Sequence, residues 1–150
     1  MQLNLEIQRA FDSEVIGLPS DEVITRWAQV CLSDYRETAE CVIRLVDTDE
    51  AKALNNQYRE KDVATNVLSF PMEMPETSGI LYIGDLVICL PVIQKEAKEQ
   101  NKTLEQHFAH MVIHGLLHLL GYDHQTDDEA KKMESLEMTC LSRIGYPSPY

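Results

Sequence analysis

Hydrophobic positions along the chain switch between two periods. Leu3, Leu5 and Ile7 alternate with polar residues, which predicts a strand with one buried face. Ser20, followed by Asp21 and Glu22, then caps a predicted helix that turns Val23, Ile24, Trp27, Val30 and Cys31 inward. The β-branched run Cys41–Val46 predicts a second strand. Thr48, Asp49 and Glu50 open a short helix with Ala51, Leu54 and Tyr58 on one face. Asn66–Phe70 reads as a strand closed by Pro71, and Tyr82–Leu90 as a longer one, with Pro91 at the first position of the next helix, where a missing N–H is harmless. Between those strands, Met72–Gly79 has the composition of an exposed loop. Thr103-Leu104-Glu105-Gln106 forms a capping box that starts a helix running to about Leu120, with Gly121 as its stop. A second box, Thr126 to Glu129, starts a final helix offering Ala130, Met133, Leu136, Met138 and Leu141 to the core. Strands followed by helices, with helices at the end, predict an α/β (α+β) fold: a small mixed sheet of about four strands packed with about five helices.

With 150 residues and no linker or repeat, residues 1–150 are read as a single domain. A hydrophobic fraction of 44% with 25% charged residues fits a globular protein. Ile80–Ile93 is interrupted by Asp85 and Pro91, so it does not suit a membrane span, and the N-terminus lacks the basic and apolar regions of a secretory signal. A cytoplasmic protein without membrane contact is expected. Cys31, Cys41, Cys89 and Cys140 lie among apolar neighbours without paired short spacing, as small buried hydrophobes do. The net charge of −12, from 13 basic and 25 acidic residues, should repel polyanions.

The candidate chemistry lies in His114-Gly115-Leu116-Leu117-His118-Leu119-Leu120-Gly121-Tyr122-Asp123-His124. Residues four apart on a helix point the same way one turn along, so His114 and His118 can share a metal. Gly121 can reverse the chain in a left-handed conformation, and His124 can return as a third ligand. Three imidazoles suit one Zn²⁺ ion better than Mg²⁺ or Ca²⁺, and three protein ligands leave a coordination position open, as catalytic sites do. His107 and His110 fall on the same stripe and read as polar-face residues, although His110 and His114 repeat the ligand spacing and form a competing pair. The run resembles the metzincin motif HExxHxxGxxH, except that Gly115 replaces the glutamate that serves those proteases as general base. A protease mechanism therefore lacks its usual proton acceptor.

Tyr58-Arg59-Glu60-Lys61-Asp62 and Thr65-Asn66-Val67-Leu68-Ser69-Phe70-Pro71, with Gly84-Asp85-Leu86-Val87-Ile88 and the histidine run, resemble the YbeY family of bacterial endoribonucleases from about Arg44 to Glu137. The resemblance implies a metal-dependent, single-strand-specific endoribonuclease of the cytoplasm. Its role would be in ribosomal RNA maturation, notably at the 3′ end of the small-subunit RNA, and in ribosome quality control. It also implies that His114, His118 and His124 hold the metal and that Arg59 is required for activity. Arg59 can offer a planar fork to two phosphate oxygens, with Lys61 adding charge nearby; otherwise Arg59 would simply pair with Glu60 or Asp62. Asp85, in an apolar strand, either orients a histidine or pairs with a base.

Two departures from the family pattern stand out: Glu60 where members often have Gly, and Val63-Ala64 where they often have Arg-Pro. Arg44, Lys95, Lys98 and Lys102 are other candidate RNA contacts. With so acidic a chain, a ribosome or ribosome-associated protein is expected to help deliver the RNA; DNA is not expected as a substrate. The catalytic assignment is His114 and Arg59, with the general acid and the attacking oxygen left open. Two rivals remain, a metallopeptidase-like hydrolase drawing its base from Asp123 or Glu73 and a non-catalytic ribosome-assembly factor with a structural zinc.

Overall fold

A computed structural model describes residues 1–61, 63–72 and 82–150. In chain order its elements are β1 (Gln2–Ala10), α1 (Asp21–Leu32), β2 (Thr38–Val46), α2 (Thr48–Arg59), β3 (Val67–Pro71), β4 (Tyr82–Cys89), α3 (Leu90–Glu99), α4 (Leu104–Leu119) and α5 (Asp127–Arg143). The expected loop Met72–Gly79 lies, apart from Met72, outside the described residues.

The sheet order is β1-β2-β4-β3. β2 runs parallel to β1 and β4, while β3 is antiparallel to β4, so the sheet is mixed. Position in the sheet explains the two kinds of strand pattern. β1 is an edge strand and alternates between exposed and half-buried positions; β4 is interior and mostly buried, which is why it reads as a nearly continuous apolar run. Pro71 is tolerated because β3 is the other edge.

One face of the sheet carries the main core, where Ile43, Leu45, Leu86 and Ile88 meet Ile24 and Trp27 of α1, Phe108, Val112, Ile113 and Leu116 of α4, and Met133 and Leu141 of α5. Trp27 stacks at an angle on Phe108 and edge-on against Tyr146, pinning the segment after α5. The opposite face is covered by α2, through a smaller cluster of Val46, Ala51, Leu68, Val87 and Cys89. Packed against both β3 and its helical neighbours, α4 is buried nearly all round. All four cysteines are buried and free.

Capping separates the two predicted boxes. Thr103 and Gln106 make the reciprocal pair of bonds that defines a box. Thr126 accepts from the Glu129 N–H, but the Glu129 carboxylate turns to the Thr126 hydroxyl instead of the backbone, so only half of that box forms. Val23 and Met138, assigned to the core, are exposed, as is Tyr58 on the apolar face of α2, which rests edge-on against Phe70 at a centroid distance of 5.1 Å. Each lies at the margin of an apolar stripe that is wider in sequence than the surface available to bury it.

Candidate metal centre

His114 and His118 project from the last two turns of α4. The helix closes at Leu120, and Gly121 takes φ +102°, a conformation costly for residues with a Cβ. That reversal sends Tyr122, Asp123 and His124 back across the helix end. The result is convergence: one ring nitrogen from each of His114, His118 and His124 lies within 4.8 Å of the others. The Nε2 atoms of His114 and His118 are 3.1 Å apart. Burial, followed by the charges of His114 and His124, lowers the pKa of His118 and favours the neutral ring that a metal requires. Three borderline imidazole donors, two from α4 and one from the segment after it, fit a zinc-type ion and offer no oxygen cage for calcium or magnesium.

Gly115 accounts for the missing glutamate of the metzincin pattern. It faces the sheet, where an added Cβ would lie 2.8 and 2.9 Å from the Leu86 methyls and 3.3 Å from Val67. A side chain there would be driven into the core. The absent Cβ instead lets α4 settle closely on β3 and β4.

The histidines open into a cavity of about 620 Å³ whose wall includes Arg59, Thr65, Asn66, Ser69, Asp123 and Gln125. Arg59, the last residue of α2, thus reaches the same space from the far side of β3. No carboxylate pairs with it among the described residues; Asp62 lies outside them. Glu60 does not take that partnership. It forms the left-handed C-cap of α2 with φ 57°, a conformation that glycine adopts at least cost. Lys61 is exposed and is not part of the described cavity wall.

Asp85 is not brought to the histidines. Strand alternation places it on the α2 face with Val87, in a separate cavity with Gln8, Arg44 and Glu50, where it accepts a hydrogen bond from the Tyr82 hydroxyl. Burial, and secondarily Glu6, raise its carboxyl above the ordinary value. Arg44 grips Glu50 through two bonds of 2.6 and 2.9 Å and also reaches Gln8, so it faces away from the metal cavity. Lys95 pairs loosely with Glu99, and Lys98 and Lys102 line a third depression near Ile16. Asp123 lines the histidine cavity and accepts from the His124 N–H at 2.8 Å; Glu73 lies outside the described residues.

The carboxylate that does reach one of the three histidines is Glu137 of α5. It accepts from His114 Nδ1 at 2.5 Å, from His110 Nε2 at 3.2 Å and from the Tyr150 hydroxyl. Burial would raise its pKa, but these three hydrogen bonds and the His114 charge outweigh that effect and hold it at about 2. His107 and His110 are accordingly not solvent-facing polar residues: both are buried, His107 bonded to Glu96 at 2.9 Å and His110 to Glu137. Because α4 is central, its histidine stripe meets α3 and α5 before it meets water. Glu137 did leave a signal in the sequence, an acid on the stripe otherwise formed by Met133, Cys140 and Leu141.

Known proteins resemble this chain over nearly its whole length. The family model for Endoribonuclease YbeY matches residues 11–145. Proteins named Endoribonuclease YbeY from Pseudomonas entomophila and Pseudomonas fluorescens are 52% and 51% identical to this chain over 149 residues. In each case 99% of this chain is covered, with 93% and 96% of the relative. A solution structure of a Thermotoga maritima protein superposes with a TM-score of 0.60 at 26% identity, covering 93% of this chain and 90% of the other. On the extent of these matches, the chain belongs to the YbeY family.

Proposed function

We propose that this protein is a zinc-dependent endoribonuclease that cleaves single-stranded RNA in the cytoplasm and acts in ribosomal RNA maturation, at the 3′ end of the small-subunit RNA, and in ribosome quality control. The observation that carries the reading is that Arg59 and the three convergent histidines face one cavity although they come from well-separated segments of the chain. Family membership supplies the RNA substrate class, and the relatives bear the name of an endoribonuclease.

His114, His118 and His124 would hold one zinc ion per chain, which when bound supplies Lewis-acid polarisation of a phosphoryl oxygen and a lowered pKa for water. Arg59 binds the phosphodiester through its planar fork and offsets charge that grows in the transition state. Its place at the exposed end of α2, with no carboxylate partner among the described residues, leaves the guanidinium donors available. Lys61 adds positive charge outside the cavity. Arg59 is the sole cation among the described residues of that wall. On a chain of net charge −12, one cation gives little general attraction for RNA, so a ribosome or ribosome-associated protein delivers the strand.

Asp123 in the same wall favours one second reading, a peptidase-like hydrolase. Unstructured RNA and casein assayed side by side, with and without chelator, separate the two. His114→Ala and Arg59→Glu should each abolish RNA cleavage while circular dichroism stays native. Full activity in either purified variant refutes the assigned role, and chelator-sensitive turnover of casein alone supports the peptidase. A chelator that lowers the melting temperature with no substrate turned over would instead support a structural zinc.

A further inference from the structure

Glu137 is 1% exposed and occupies a position that apolar residues would fill on any ordinary amphipathic helix. A buried carboxylate is retained only when donors satisfy it. Here one oxygen receives His114 Nδ1, and the other receives His110 Nε2 and the Tyr150 hydroxyl. A neutral imidazole carries one N–H, so donation from Nδ1 leaves the lone pair of His114 on Nε2, the atom that faces His118.

The same carboxylate settles a choice that the sequence leaves open. His110 and His114 have the same spacing as His114 and His118, so either pair could begin a metal site. With His110 Nε2 tied to Glu137, its ring centroid stands 6.4 Å from that of His114, against 4.6 Å between His114 and His118. His110 Nδ1 has no partner among the described residues and is buried.

We propose that Glu137 is the positioning residue of this centre: it locks His114 with Nε2 toward the metal position and withholds His110, and Tyr150 holds the second carboxylate oxygen in place. The segment after α5, fastened by Tyr146 on Trp27, is thereby part of the site. This inference rests on the metal reading. A ligand whose partner is removed must be ordered by the metal itself, and such losses lower affinity about 10–100-fold.

The test uses the full-length chain, native and as Glu137→Gln and Tyr150→Phe, with zinc affinity measured by competition against a chromogenic chelator. Cobalt absorption reports coordination, and imidazole ¹⁵N spectra of the metal-free protein report the His114 tautomer. The native metal-free protein should show His114 protonated on Nδ1. Glu137→Gln, close in shape to the native residue, should weaken zinc binding about tenfold or more and mix the tautomers; Tyr150→Phe should weaken it by a smaller factor. A native His114 protonated on Nε2, or a Glu137→Gln protein with native zinc affinity and cobalt spectrum, overturns the proposal. If Glu137→Gln fails to fold, Tyr150→Phe and the native tautomer still decide the matter. A native chain that takes up no zinc removes the metal reading and this inference together, whereas native uptake matched by the variant removes this inference alone.

Discussion

Replacing Gly84 with alanine should be among the most damaging single-methyl changes in this protein. Gly84 has φ +138°, where L-residues are rarely found, and that strain alone amounts to about 1–3 kcal/mol. The added Cβ would also press on the Phe70 carbonyl oxygen across the β3–β4 ladder, and would lie 2.9 Å from Leu119 Cδ2 and 3.0 Å from Pro71 Cα. Leu119 can rotate only within a packed core, an overpacking of about 1–3 kcal/mol. The backbone oxygen cannot yield without parting two paired strands. Together these give about 2–6 kcal/mol, or a fall in melting temperature of roughly 4–24 °C for a domain of this size. Urea unfolding followed by far-UV circular dichroism would measure it as a lowered midpoint at constant slope. The clash lies where β3 meets the end of α4, so zinc affinity of the folded fraction should fall as well. A loss below about 1 kcal/mol would show that β3 and Leu119 yield to the added methyl, and the close approach at Gly84 would not be rigid.

Asp85→Asn should stabilise the protein at pH 7. Burial and Glu6 raise the carboxyl in the folded state, so Asp85 favours folding below the unfolded carboxylate pKa of about 3.9, and that contribution is lost as pH rises through the folded value. Urea midpoints of the two proteins should therefore differ at pH 7 and converge below about pH 4; a constant difference contradicts the assignment. Thr103→Ala removes the hydroxyl that caps α4 and should lower stability by about 1 kcal/mol in the same assay. Zinc affinity should stay native, since the cap lies about 16 Å along the helix from His114; a large affinity loss would mean that the start of α4 governs its far end.

The local devices of this fold were legible in the sequence because they depend on neighbours in the chain. The Ser20 and Thr103 caps, the reversal at Gly121 and the alternation in β1 need only backbone sterics and hydrogen bonding within a few residues. The histidine cluster belongs to the same class: a helical turn and a glycine reversal bring three rings together within eleven residues. A small mixed sheet of about four strands packed with about five helices followed from the order of the elements, whereas the strand order and the division of helices between the two faces did not.

Tertiary structure decided whatever joins distant segments. The sequence shows Arg59 at a helix end, but only the packing of α2 against one face and α4 against the other lets it share a cavity with the histidines. Asp85 and Glu137 make the contrast sharpest. Both are acids in apolar runs, and local pattern cannot say which faces the histidine cluster. Strand pleat turned Asp85 to the α2 side, while the crossing of α5 over α4 delivered Glu137 to His114. His107 and His110 became buried for the same reason. A helix pattern fixes which side chains share a face, whereas what that face meets depends on the elements packed around it.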